Sequence, residues 1–233
     1  MGNLDNITGI FGFILKPRAT INRLRVITIK AQHYEEIQEE QPYYWLYQQI
    51  RPNTTLIDIG ANIGDTVLYF GVNCNVKKII AFEPVPVFYE IAKSAIKKIP
   101  FSNKVVLHNK AVTADVQKKL IKKNKWYIGD SYEKLDEKEG IIINSVPLRN
   151  VLKNLKNVAI KCDCEGAENT MFDNANLSNV YVLQVEYHNS KDKVTQILKS
   201  NGFYVKVKKA VDTPNYQLGF IYATRLKPSN TKI

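Results

Sequence analysis

Leu56-Ile57-Asp58-Ile59-Gly60-Ala61-Asn62-Ile63-Gly64 is the stretch on which the fold turns. An apolar run carries an acid near its end, passes into closely spaced small residues, and opens a helical pattern beyond Gly64. Such a run predicts a strand, a tight turn and a helix. Gly60 and Gly64 allow backbone conformations and close approaches that side chains forbid, and Asn62 is among the few other residues that tolerate positive φ. The N–H groups at the start of the following helix lack partners and carry partial positive charge, which favours an anionic or polar ligand edge.

The glycines stand in the order Gly60, Asn62, Gly64, so the G-x-G-x-x-G pattern of dinucleotide sites is missing, and no G-x-x-x-x-G-K-[ST] phosphate loop occurs anywhere. Asp58 before the turn repels phosphate but accepts hydrogen bonds from an amino group. Glu83 closes the next predicted strand, where a carboxylate can accept from both hydroxyls of a ribose. A ligand with a ribose, an ammonium and no phosphate fits these residues, and S-adenosylmethionine is such a molecule.

Working outward, β-branched runs alternate with helical stretches from Thr55 onward. This predicts an α/β fold, a Rossmann-like parallel sheet with helices on both faces. Seven strands are expected at Thr55 to Ile59, Lys78 to Glu83, Lys104 to Asn109, Val158 to Cys162, Val180 to Glu186, Phe203 to Lys209 and Tyr216 to Ala223. Helices are expected at Gly64 to Gly71, Pro86 to Lys98, Leu148 to Leu155, Glu168 to Asn174 and Lys191 to Ser200. A polar connection containing Pro214 joins the last two strands as a hairpin, so the last strand is expected to run antiparallel.

Residues 1–54 form an extension, with a strand-like run at Leu24 to Ile29 and the aromatics Tyr43, Tyr44, Trp45 and Tyr47. Two roles are equally compatible with these aromatics: a lid on a pocket, or a cover for the sheet's open edge. Residues 55–233 are expected to form the domain that binds this ligand. Within it a lysine-rich insertion near 118–140 interrupts the alternation, as functional or variable excursions do.

At 233 residues, with 45% hydrophobic and 24% charged residues, the chain suits one large core and excludes a disordered or fibrous protein. Cys74, Cys162 and Cys164 are too few for a disulfide scaffold and have no zinc-ligand spacing, which fits a reducing, cytoplasmic compartment. The apolar run Ile10 to Leu15 is far shorter than the ~20 residues a membrane helix needs, so no membrane span is expected. The net charge of +11 comes largely from lysine, with six arginines. That favours a solvated surface over bidentate reading of nucleic acid.

The chain resembles the FkbM family of S-adenosylmethionine-dependent methyltransferases. The resemblance rests on LIDIGANIGDTVLYF, IIAFEPVPVFYEIAKSAI, VVLHNKAVT, AIKCDCEGAENTMF and VLQVEYH, in that order from about Thr55. The string Asp163, Glu165, Gly166 and Glu168 after the fourth strand is more discriminating than the glycine turn. This likeness implies the seven-stranded class I methyltransferase sheet, with S-adenosylmethionine at the carboxyl ends of its first strands. By position, Asp58, Gly60, Ala61, Asn62 and Gly64 would surround the methionine end, Glu83 the ribose, and Asn109 to Ala111 the adenine edge, with Asp163 beside the donor. The chain departs from the family at Val146 to Leu152, where Arg149 stands in a segment that often carries an acid.

Methyl transfer to a hydroxyl requires an aligned electron pair and a group that removes a proton. Asp163 and Glu165 follow a buried strand, and Glu186 and His188 end its neighbour, so four titratable groups converge on one rim. Asp163 is expected to orient donor or acceptor, with Glu165 or His188 as base. Alternation sends Cys162 and Cys164 the other way, to pack rather than react. Glu168 reads as a helix N-terminal charge without catalytic duty, and Glu186 as either a site residue or the partner of Lys161 in a buried ion pair. Oxygen ligands among Asp163, Glu165 and Glu186 would suit Mg²⁺, but spacing alone does not call for it and no metal is assigned.

The expected activity is methylation of an oxygen in a small molecule or glycan. Two alternatives remain open: an RNA methyltransferase using Lys118 to Lys125 with Trp126 and Tyr127, and a non-catalytic module that binds the donor.

Overall fold

The computed structural model describes residues 43–116, 118–122 and 140–225. The strand-like run at 24–29, most of the extension, and Trp126 and Tyr127 lie outside the described residues.

The elements in chain order begin with α1 (Tyr44–Gln49), β1 (Thr55–Ile59), α2 (Asp65–Asn73), β2 (Lys78–Phe82), α3 (Pro86–Ile96) and β3 (Val105–His108). They continue with β4 (Ala111–Thr113), β5 (Lys118–Lys122), β6 (Gly140–Pro147), α4 (Leu148–Leu152), β7 (Val158–Cys162) and α5 (Glu168–Met171). The chain then forms β8 (Val180–His188), α6 (Lys191–Ser200), β9 (Tyr204–Asp212) and β10 (Gln217–Thr224).

The main sheet has seven strands in the order β3-β2-β1-β7-β8-β10-β9. Strands β1, β2, β3, β7 and β8 pair in parallel, while β10 is antiparallel to both β8 and β9. From β1 the chain builds outward through β2 and β3, then returns to add β7 on the other side. That reversal puts the topological switch point between β1 and β7, where open α/β sheets bind ligands.

Five buried residues in a row, Thr55 to Ile59, mark β1 as covered on both faces. Ile57 and Ile59 join one core cluster with Leu148, Leu152, Met171, Val194 and Leu198 from α4, α5 and α6. Leu56 joins the opposite cluster with Leu46, Val67 and Ala92 from α1, α2 and α3. The period-2 alternation of the strand therefore builds two cores, and the helices lie on both faces as expected.

The expected strands recur within a few residues of their predicted ends. The extra sheet β4-β6-β5 was not foreseen. The lysine-rich segment enters it as a strand, β5, antiparallel to β6 from Lys118↔Asn144 to Lys122↔Gly140. Three helices are shorter than expected: α3 stops at Ile96, α4 at Leu152 and α5 at Met171. For the last two the cause is visible. Positive φ at Asn154 (66°) and Asn174 (58°) turns the chain out of the helical path soon after each. No helix among the described residues is long and apolar enough to cross a membrane.

Candidate functional site

At the tip of β1 the backbone turns sharply. Gly60 has φ +77°, Asn62 +49° and Gly64 +90°. Gly60 N and Ala61 N both donate to Phe82 O, at 3.0 and 2.9 Å, and Gly64 N closes the turn on Ala61 O at 2.8 Å. A Cβ at Gly60 would lie 1.7 Å from Asp163 O, so the β1 and β7 loops touch at the switch point where only glycine fits.

Glu83 stands at the tip of β2, 4% exposed. Its Oε2 accepts from Asn62 N and its Oε1 from Val85 N, each at 2.8 Å. Burial pushes its carboxyl up to about 7 despite these two bonds. Asn109 Nδ2 donates to the carbonyls of Glu83 (2.9 Å) and Pro84 (3.0 Å), tying the β3 tip to this loop. A small hollow lies among Gly60, Pro84, Lys110, Ala111, Cys164 and Ala167.

Asp58 and Ala61 do not present groups to this hollow. Asp58 is fully buried; its Oδ2 accepts from Thr66 Oγ1 at 2.5 Å and its Oδ1 faces Lys161 Nζ at 3.2 Å. Both carboxylate oxygens thus already have protein partners, so Asp58 lies beneath the turn rather than at its surface. Ala61 is fully buried in the core and its N–H is given to Phe82, so it shapes the turn. Lys161 also donates to Gly60 O at 2.6 Å and Ile59 O at 3.4 Å, pinning the turn from below. Burial opposes its charge, but Asp58 and then Asp163 hold the ammonium well above its ordinary range. Lys161 therefore pairs with Asp58, its register partner across β1 and β7, and not with Glu186.

The rim beyond β7 and β8 is built by side chains. Asp163 Oδ2 accepts from the phenol of Tyr43 at 2.9 Å. Glu165, at φ +53°, has left the strand pattern, and its Oε2 lies 3.2 Å from His188 Nε2. Nδ1 of the same ring is 3.5 Å from Glu168 Oε1, so His188 sits between two carboxylates. Burial works against its charge, yet Glu168, Glu165 and Glu186 raise it to about 8. Burial, then the charge of Asp163, push Glu186 up to about 7.

Glu168 proves to be a structural hub. Fully buried, it accepts from Gly166 N (2.8 Å), His188 N (2.7 Å) and Ser190 Oγ (3.0 Å), stitching α5 to the end of β8. Burial would raise its carboxyl, but the hydrogen bonds from His188 hold it below the ordinary range. Cys162 and Cys164 are buried in the core with their sulfurs 3.4 Å apart; burial pushes the Cys162 thiol up, and the hydrogen bond with Cys162 and then burial push Cys164 up. No group of three or more His, Cys, Asp or Glu side chains among the described residues is arranged to hold a metal ion. Arg149, in the segment that departs from the family pattern, is spent on Asp115 at 2.7 Å and Ala114 O at 2.5 Å.

Two aromatic residues border this rim: Tyr43, one of the aromatics for which a lid or a cover is open, and Tyr216, which the sequence leaves without a site role. Tyr43 precedes α1, whose Trp45 packs on Tyr222 with ring centroids 5.0 Å apart and whose Tyr47 meets Tyr69 at 6.1 Å. Trp45 therefore covers the sheet at β10 and Tyr47 packs on α2, while Tyr43 reaches Asp163. Tyr216, in the β9–β10 turn, brings its ring centroid to 6.5 Å from that of His188. Asn189 fixes the turn's position, donating N–H to Gln217 O (2.9 Å) and accepting Gln217 N–H at Oδ1 (2.7 Å). Neither contact has a local sequence signal, since Tyr43 and Asp163 are 120 residues apart.

Among solved structures, the chain is similar to a methyltransferase FkbM from Methylobacillus flagellatus KT, with a TM-score of 0.52 and 15% identity. That match covers 94% of this chain and 58% of the other, so the chain spans little more than half the length of that structure. It is also similar to TrmK of M. capricolum, solved with S-adenosylhomocysteine, at TM-score 0.50 and 13% identity, covering 80% of this chain and 70% of that one. At such identities these likenesses establish a shared fold. No curated protein matches the sequence. The profile of the methyltransferase FkbM domain matches residues 58–205, from the acid of the β1 turn into β9. The chain belongs to the FkbM methyltransferase family.

Proposed function

We propose that the chain is an S-adenosylmethionine-dependent methyltransferase that acts on an oxygen of a small molecule or glycan. The observation that carries the reading is the pair formed by Glu83 and Asn62. Each Glu83 oxygen takes one backbone N–H and keeps a lone pair, as a ribose diol requires. Beside it, Asn62 Oδ1 is buried without a hydrogen-bond partner, an acceptor that a ligand's donor would satisfy. A nucleotide phosphate would meet two acceptors here and be repelled.

Glu83 and Asn62 would hold the ribose and methionine sides of the donor, the Gly60 turn would admit it closely, and Asn109 to Ala111 would border its adenine. Bound there, S-adenosylmethionine supplies an electrophilic methyl group on a sulfonium. The chain's own part is alignment and proton removal. Asp163, at the tip of β7, orients the reacting groups. Glu186 takes the acceptor's hydroxyl proton, since a carboxyl near 7 is half ready to accept one at neutral pH. His188, between Glu165 and Glu168, stays an imidazolium that holds those carboxylates in place, so it is a poorer base than its position at the strand end suggests.

The acids on the rim outnumber its one histidine. Such a rim favours a neutral or cationic acceptor and disfavours a phosphate-rich one, which speaks for a small molecule or glycan over RNA. The test is calorimetry with S-adenosylmethionine and S-adenosylhomocysteine on the wild type and Glu83→Ala. Binding by the wild type, weakened about tenfold or more in the variant, supports the reading. Equal affinities would overturn it. Screening hydroxyl acceptors with labelled donor then identifies the product.

A further inference from the structure

The family profile begins at residue 58, yet one of the contacts that shape the site comes from before it. The Tyr43 hydroxyl donates to Asp163 Oδ2 at 2.9 Å, and the ring of the same residue lies over Lys161, with Nζ 5.2 Å from its centroid. One side chain thus touches both charged residues of the β7 tip. Lys161 is the ammonium that fixes the Gly60 carbonyl from below, and Asp163 is the acid beside the donor.

Tyr43 is itself well anchored. Its carbonyl accepts from Tyr47 N at 3.0 Å, and Leu46 of α1 is fully buried in the core shared with α2 and α3. Burial, followed by the charges of Asp163 and Glu186, holds the phenol protonated well above its ordinary range, so it remains a donor throughout the physiological range. A donated O–H on one carboxylate oxygen stops the side chain from rotating and leaves Oδ1 for a ligand. The ring contributes differently: its face meets a cation largely withdrawn from water, where such contacts are strongest.

We infer that Tyr43 is a positioning residue for methyl transfer: it orients the Asp163 carboxylate toward the donor and caps Lys161, so the N-terminal segment completes the site. This rests on the donor-binding reading above. Of the aromatics of the extension, Trp45 packs on Tyr222 of β10, an inner strand and not the sheet's open edge, and Tyr43 takes the site.

The experiment is a double-mutant cycle in S-adenosylhomocysteine affinity, using Tyr43→Phe, Asp163→Asn and the double variant in the full chain. Tyr43→Phe keeps the ring over Lys161 and removes only the hydroxyl, and a thermal melt checks that each variant is folded. Expected are a loss of roughly tenfold for Tyr43→Phe, a larger loss for Asp163→Asn, and no additional loss for the double variant over Asp163→Asn. A spectroscopic signature accompanies this. In protein labelled with carbon-13 at aspartate carboxyls, the resonance absent from Asp163→Asn shifts in Tyr43→Phe. Wild-type binding with Tyr43→Phe unchanged, or additive losses in the double variant, would overturn this inference alone. A wild type that fails to bind the ligand would overturn it together with the reading on which it rests.

Discussion

The two halves of the site are held by different kinds of bond. On the proposed donor side, at the tips of β1 and β2, backbone meets backbone or backbone meets one carboxylate: Gly60 and Ala61 to Phe82, Asn62 and Val85 to Glu83. On the proposed acceptor side, at the tips of β7 and β8, the contacts run mainly between side chains, Tyr43 to Asp163 and His188 to Glu165 and Glu168, although Glu168 also takes the N–H groups of Gly166 and His188. Backbone geometry is fixed by φ and by space, so on the donor side pH acts chiefly through the one carboxyl, Glu83, raised to about 7. Networks of ionisable side chains depend on the charge state of every member. The donor side therefore behaves as a rigid mould, and the acceptor side as a tunable rim.

The contrast breaks most severely at Gly60. In Gly60→Ala the new methyl would sit 1.7 Å from Asp163 O at a φ of +77°, so either the β1 turn or the β7 loop must move. Loss of measurable S-adenosylhomocysteine binding is expected, with destabilisation of several kcal/mol in urea unfolding, on the order of the larger single-residue effects. Retention of wild-type affinity would mean that the turn is not a rigid mould.

Next in size is Lys161→Met. It leaves Asp58 fully buried without its cation, and a broken buried pair costs about 3–5 kcal/mol in unfolding free energy. Lys161→Met combined with Asp58→Asn should recover part of that loss, because the uncompensated charge is gone. If the single variant unfolds like the wild type, the ion pair is not what supports the turn.

The acceptor side should show itself through pH. His188 is raised from 6.5 to about 8, so its contribution to stability is complete below about 6.5 and is lost as pH rises through about 8. Chemical unfolding at a series of pH values should show wild-type stability falling between these limits, and His188→Gln should flatten that fall. Parallel curves for the two proteins would place His188 outside the carboxylate clamp.

The smallest effect is expected at Tyr216, which is 40% exposed in the β9–β10 turn. Tyr216→Ala should leave S-adenosylhomocysteine affinity within about twofold of the wild type and shift stability by less than ~1 kcal/mol, as calorimetry and urea unfolding would read. It sharpens the comparison, since a large loss of donor affinity would join two regions that are separate here.

What could be read from the sequence follows the same division. Gly60, Asn62 and Gly64 announce a turn with positive φ because few residues tolerate that conformation, and Glu83 marks the next strand tip by position alone. The alternation of Ile57, Ile59 and Leu56 fixes which faces are covered. The partner of Lys161, by contrast, is not legible, because its place opposite Asp58 depends on the β1–β7 register, which only the fold sets. Likewise, two of the partners of Glu168 lie 20 and 22 residues away on another strand and its following turn, and no local pattern encodes them. The same holds for Tyr43, whose aromatic neighbours signal burial but not a hydrogen bond to a distant acid. Strand β5 carries no clear signal because lysines dominate Lys118 to Lys122 and mask any apolar alternation.

The central claim is that the β2 carboxylate and the glycine turn together bind the adenosyl part of a methyl donor. A crystal structure with S-adenosylhomocysteine tests it most directly. The account predicts ribose hydroxyls within hydrogen-bond distance of both Glu83 oxygens and a ligand donor on Asn62 Oδ1. A ligand bound away from Glu83, with Asn62 Oδ1 still unpartnered, would contradict it.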